Sequence, residues 1–153
     1  MANTYTQLLV QVVFAVRNRD ACIVESSRVR AEQYMCGIID ELACKPLAIY
    51  CNPDHCHILI GFNARVSVAE LVRVIKTNTT KWMKEKKLVA PEFAWQSGYG
   101  AFTYARSQLD DVVKYIQNQP EHHRRKSFNE EYRTFLERFQ VEYKNEYLFD
   151  FFD

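Results

Sequence analysis

His55 and His57 stand two residues apart in the apolar run from Ile49 to Phe62, just after the turn-forming Asn52-Pro53-Asp54. On a strand the side chains alternate, so the two imidazoles share one face and Cys56 takes the other. Two neutral imidazoles on a rigid strand make half of a metal site. The best candidates for the other half are Tyr115 and Gln119, a phenol and an amide four residues apart on a predicted helix near 108–119. At that spacing their Cβ atoms would lie ~5–6 Å apart on one face. A divalent ion bound by two imidazoles and an amide or carboxylate oxygen keeps open positions that can polarise a phosphoryl oxygen, while the phenol could attack a phosphodiester. A phosphotyrosine would conserve the energy of the broken bond, so rejoining would need no nucleotide cofactor, and the chain has no G-x-x-x-x-G-K-[ST] segment. Each feature alone also has a plain reading. His-x-His on a strand can serve packing, and Tyr115 continues an apolar helical stripe.

The elements that must position these residues are legible from periodicity. Thr6 to Val16 reads as a strand buried on both faces, and Arg28 to Ala43 as a helix stopped before Pro46. Leu47 to Cys51 and His55 to Phe62 form a hairpin around Asn-Pro-Asp. Capping boxes at Ser67–Glu70, Ser107–Asp110 and Ser127–Glu130 predict helices to about Lys86, to about Gln119 and over about 128–142. Between the first two lie strand-like pieces at Phe93 to Gln96 and Gly100 to Arg106, and Pro120 marks an end or kink. The interleaving predicts an α+β, ferredoxin-like (RRM-like) fold, an antiparallel sheet with helices packed on it, as a single domain over 1–153.

The composition, 48% hydrophobic and 25% charged, is that of an ordinary globular chain. Five cysteines without a C-x-x-C pair suit a reduced cytosol. With no signal-like amino terminus and no membrane-length apolar run, a soluble cytoplasmic protein is expected. The formal net charge of +1 hides an asymmetry: Ser127 to Asp153 carries −4 and the first 126 residues +5. Basic clusters fall at Arg28-Arg30, at Lys81-Lys84-Lys86-Lys87 and at Arg124-Arg125-Lys126. Lys81, Lys84, Arg124, Arg125 and Lys126 are the candidate nucleic-acid contacts, provided they converge on the histidines. His122 and His123 read as part of a solvated or phosphate-contacting surface rather than as metal ligands. Tyr99, Phe102 and Tyr104 could stack unpaired bases, and the apolar Tyr143 to Phe152 should dock on its own domain or on a partner.

Tyr5 to Val16, Asn52 to Ile60, Trp95 to Phe102 and Val113 to Gln119 resemble, in order and separation, the single-tyrosine HUH transposases of small bacterial insertion sequences. The resemblance implies that His55 and His57 are the metal pair, that Gln119 is a third ligand and that Tyr115 forms a 5′-phosphotyrosine on single-stranded DNA. It further implies an obligate homodimer and recognition of DNA hairpins at the element's ends. A Mg2+ or Mn2+ cofactor suits an oxygen-rich phosphoryl site, while two imidazoles alone would also accept zinc or nickel. Cys56 stands where an aliphatic residue is expected between the histidines, a role a buried thiol can fill. Two other readings remain open on the residues. One is a non-catalytic binder of structured single-stranded nucleic acid, which needs the basic clusters but no metal. The other is a metal-independent phosphoesterase, which wants two separated histidine motifs.

Overall fold

The most continuously apolar segment of a chain is best placed as an inner strand, where neighbours on both sides take its hydrogen bonds and layers on both faces take its side chains. In the computed structural model, which describes residues 3–152, that segment is β1, Leu9–Ala15, buried along its whole length. It is followed by α1 (Glu25–Glu41), β2 (Lys45–Cys51), β3 (His55–Gly61), α2 (Val68–Glu85) and β4 (Gly100–Tyr104). The strands form one antiparallel sheet in the order β2-β3-β1-β4, the expected ferredoxin-like α+β arrangement. Three further helices, α3 (Leu109–Gln117), α4 (Gln119–Arg125) and α5 (Phe128–Arg138), complete the site-bearing side.

Strand alternation sorts the two faces. Val12 and Phe14 of β1 with Cys56, Ile58 and Ile60 of β3 meet Met35 and Ile39 of α1 and Leu71 and Ile75 of α2. On the other face Val13 and Ala15 pack against Phe128, Tyr132, Phe135 and Leu136 of α5, and Leu59 against Val112 and Ile116 of α3. Each such large side chain, fully buried, contributes about 1.5–3 kcal/mol, so helices on both sides hold β3 in place. In the β1–β3 register Ala15 lies opposite His55 and Val13 opposite His57, which seats the imidazoles next to two small, rigid neighbours.

Ser67 and Ser127 cap α2 and α5 as expected, each accepting from the backbone N–H three residues on. The expected Ser107 cap does not form. Ser107 lies inside a 3-10 turn, Arg106–Gln108, and it is the Gln108 side chain that accepts from the Ala105 N–H at 2.9 Å. The helix expected to reach 142 stops at Arg138, because Gln140 takes a left-handed conformation (φ 55°) and Val141 N–H turns back to Leu136 O. Phe93 to Gln96 makes only an isolated bridge, Val16 to Trp95, rather than a strand. Gln96 instead clamps the chain end, its amide donating to Asp150 O and accepting from Asp150 N–H, both at 2.8 Å. This docks Phe149 against Phe128 and Tyr132 of its own chain. Gly100 permits the approach of α5, since a Cβ there would meet Tyr132 Oη at 2.7 Å. Among the described residues no helix is long and apolar enough to cross a membrane.

Candidate metal centre and catalytic tyrosine

The hairpin turn and β3 aim both imidazoles inward and fix which nitrogen faces the site. His55 Nδ1–H donates to Asp54 Oδ1 at 2.7 Å and His57 Nδ1–H to Gln11 Oε1 at 2.8 Å. Neither acceptor leaves a choice of tautomer in the neutral ring, so both present an Nε2 lone pair to the interior. Gln11 is itself fully buried on β1 and donates its amide N–H to Tyr104 Oη at 2.7 Å. Cys56 points to the opposite, apolar face as its position between the histidines requires.

Tyr115 and Gln119 do not share one helix. α3 ends at Gln117, and Gln119 opens α4 with Pro120 in its first turn, where a missing N–H removes no helical bond. The backbone nevertheless bends so that both side chains enter the site. Gln119 Oε1 accepts from Asn52 Nδ2 at 3.0 Å, and Asn52 also approaches His55 Nε2 at 3.1 Å. The same bend turns His123 inward, overturning its reading as surface. Its Nδ1–H donates to Lys126 O at 3.0 Å, and its Nε2 lies 2.9 Å from Gln119 Oε1.

Glu131 of α5 closes the site from above the sheet. Only 2% exposed, it places Oε1 3.0 Å from His57 Nε2, 3.4 Å from His55 Nε2 and 3.3 Å from His123 Nε2. The ligand atoms of His55, His57, His123 and Glu131 lie within 4.8 Å of one another. Three lone pairs directed at a carboxylate oxygen repel unless a cation is shared among them, so the donor set fits a divalent metal ion. Gln119 Oε1 adds a neutral oxygen beside it.

The same carboxylate holds the phenol. Tyr115 Oη donates to Glu131 Oε2, and, its only proton so engaged, accepts from His122 Nε2–H at 3.1 Å. His122 is thus a contact of the tyrosine, with its side chain still partly exposed. Burial by itself would raise the Glu131 carboxyl, but His57, His123 and His55 hold it well below the usual carboxylate range. Burial, reinforced by the Glu131 charge, pushes the Tyr115 phenol far above its ordinary value. The two strand histidines shift in opposite directions. Burial lowers His57, whereas for His55 it is outweighed by the Asp54 carboxylate, which raises it. A charged partner behind one ring and a neutral amide behind the other account for the difference.

The basic candidates divide. Lys126 lies at the site's edge, its carbonyl orienting His123 and its Nζ donating to Thr134 at 2.8 Å. Arg124 and Arg125 are exposed on α4, 3.2 and 3.6 Å from Glu121. Lys81 and Lys84 are exposed on α2, across the sheet from the histidines, and are not brought to the site. Phe102, 3% exposed beneath α5, is closed to base stacking. Glu131 carried one signal in the sequence: it is a lone acid on the apolar stripe Phe128, Tyr132, Phe135, Leu136. His123 carried another, standing four residues after Gln119.

A candidate transposase from Deinococcus radiodurans R1 superposes with a TM-score of 0.59 at 17% identity, covering 78% of this chain and 95% of that one. A REP-associated tyrosine transposase bound to a REP hairpin gives the same TM-score at 16% identity, covering 80% and 73%. Both share the fold. No curated protein matches the sequence significantly. The sequence profile described as "Transposase IS200 like" matches residues 4–119, a span that holds the His-x-His strand, Tyr115 and Gln119, and the chain therefore belongs to the IS200-like transposase family.

Proposed function

We propose that this chain cuts and rejoins single-stranded DNA at insertion-sequence ends, with Tyr115 as the nucleophile. The observation that carries this is one shared carboxylate: Glu131 touches the phenol through one oxygen and the imidazoles through the other, all within one chain. Tyr115 Oη already donates to Glu131 Oε2, so Glu131 is placed to take the phenolic proton as bonding to phosphorus begins. Attack and proton transfer to Glu131 Oε2 are then concerted. The new bond joins Tyr115 Oη to phosphorus as its proton passes to Glu131 Oε2, the bond to the 3′ oxygen breaks on the opposite side, and that oxygen takes a proton from water, leaving a 5′-phosphotyrosine. His122 steadies the phenol oxygen, while Asp54 and Gln11 hold the two strand imidazoles in the tautomer that offers Nε2.

His55, His57, His123, Glu131 and Gln119 would hold the divalent ion, which when bound supplies positive charge to the scissile phosphate. Of Mg2+ and Mn2+, three imidazoles suit Mn2+ better, since Mg2+ favours an all-oxygen octahedron. Arg124, Arg125 and Lys126 would position a DNA strand, with Lys81 and Lys84 available to a more distant segment. Hairpin recognition is supported by the family and by the hairpin-bound neighbour. The homodimer belongs to the same reading but is not needed to complete the site, and sedimentation would measure it. A cytoplasmic location follows from a DNA substrate.

The test is Tyr115→Phe with hairpin-bearing single-stranded DNA on a denaturing gel. The variant should bind the hairpin as the parent does and form no covalent adduct, at least a thousandfold less than the parent. An adduct persisting in the variant removes Tyr115 from the mechanism. Hairpin binding indifferent to chelator, with no adduct from the parent under any metal, would favour the non-catalytic binder.

A further inference from the structure

His122 touches the phenol yet stands outside the cluster of His55, His57, His123 and Glu131 that could hold an ion. Its Nε2 lies 3.1 Å from Tyr115 Oη and 3.2 Å from Glu131 Oε2. A neutral imidazole has one ring hydrogen, and the nitrogen that faces a carboxylate must carry it, because two sets of lone pairs there would repel. The ring packs edge-on against Tyr115, centroids 4.9 Å apart, and against His123, centroids 5.3 Å apart, so the N–H is aimed by its neighbours.

We propose that His122 is a catalytic residue that favours the release of Tyr115 over its capture: it donates to the phenol oxygen as that oxygen leaves phosphorus, and so draws the phosphotyrosine toward rejoining. The assignment rests on the strand-cleavage reading above and concerns the reverse of its chemical step. In rejoining, the 3′ oxygen of a strand attacks the phosphorus of the phosphotyrosine and gives its proton to water. The bond from phosphorus to Tyr115 Oη breaks on the opposite side, and Oη takes back the proton held on Glu131 Oε2.

Three states of one oxygen set the bias. In the free phenol Oη has a lone pair for the His122 N–H. In the phosphotyrosine the same oxygen bridges the ring and phosphorus, both of which draw on its electrons, and it is a poor acceptor. In the transition state between them Oη carries developing negative charge, and Glu131, by then protonated, competes less for the N–H, so the hydrogen bond is at its strongest. Stabilising the transition state speeds both directions, whereas stabilising the free phenol and not the ester favours only rejoining. A single neutral hydrogen bond is worth about three- to tenfold on that balance. Gln119 brings a second hydrogen bond to the phenol, from a side chain that also reaches Glu131 Oε2 at 3.3 Å and Asn52 at 3.0 Å. It is tied to the ion-holding residues, whereas His122, its side chain 26% exposed, acts on the phenol from outside them.

The experiment uses the full chain with Mn2+ and a hairpin-bearing single strand labelled on the half that stays on Tyr115. Cleavage is timed by the appearance of adduct, and rejoining by its loss when an excess of the released 3′-hydroxyl strand is added. His122→Phe, which keeps a ring and removes the donor, should slow both steps and lower the ratio of rejoining to cleavage by about three- to tenfold. His122→Gln, which returns an N–H donor, should bring the ratio back toward that of the parent. His122→Leu takes the place of the phenylalanine variant if that one does not fold. In the metal-free chain, with tyrosine labelled with carbon-13 at Cζ, the Tyr115 resonance should shift in His122→Phe and return in His122→Gln. An unchanged or raised ratio in His122→Phe, equal ratios in the phenylalanine and glutamine variants, or a resonance that does not move overturns the role. Adduct formed by the parent alongside any of these leaves strand cleavage standing, whereas no adduct from the parent on any single strand removes the role together with the reading beneath it.

Discussion

The two faces of β3 show how one strand serves two incompatible needs. Cys56, Ile58 and Ile60 face a mostly apolar layer made by α1 and α2, where the main demand is close packing and Glu32 and Thr79 are buried polar exceptions. His55 and His57, one residue out of phase, face helices that bring a carboxylate, a third imidazole, an amide and a phenol. Burying that many polar groups costs stability unless every one finds a partner. The apolar face supplies the rigidity that the polar face needs, and the period of two keeps the two jobs from mixing.

Substitutions on the two faces should therefore part company. The largest effect on folding belongs to the apolar face: Ile58→Ala should cost about 2–5 kcal/mol in urea unfolding while leaving Mn2+ affinity, normalised to folded protein, near that of the parent. A comparable loss of metal affinity there would mean the faces are not separable. On the polar face, Asp54→Ala removes the acceptor that fixes the His55 tautomer and should weaken Mn2+ binding by about 10–100-fold in calorimetry, with a much smaller change in unfolding.

Acid should sharpen the same contrast. Glu131 is held below its ordinary 4.5, so the stability it contributes is present above that value and is lost as pH falls through its lower folded-state value. In the metal-free chain the unfolding free energy should decline below pH 4.5 by up to about 1.4 kcal/mol per pH unit, and Glu131→Gln should flatten that decline. An identical slope in the variant would place the acid sensitivity elsewhere. The smallest effect lies far from the site. Ala43 ends α1 with φ 57°, and Ala43→Gly should raise stability by about 0.5–1 kcal/mol without touching DNA or metal binding.

Much of this architecture was readable before any coordinates. The unbroken apolar run of β1, the Asn-Pro-Asp turn and the serine caps at 67 and 127 are local signals, decided by residues within a few positions of one another. The helix expected to carry Tyr115 through Gln119 ends at Gln117, and Pro120, expected as an end or kink, stands in the first turn of α4. No local pattern announced α4, and it is α4 that turns His122 and His123 toward Tyr115 and Gln119.

What the chain's residues determined alone was which side chains could do chemistry and that His55 and His57 must share a face, since backbone alternation has no alternative on a strand. What only the tertiary structure decided was the company they keep. Glu131 comes from 74 residues beyond His57, Gln11 from 46 before it, and no periodicity relates segments so far apart. Their meeting depends on α5 packing over Val13 and Ala15 and on the bend at Pro120, and both are outcomes of burying apolar surface that the polar residues themselves do not encode.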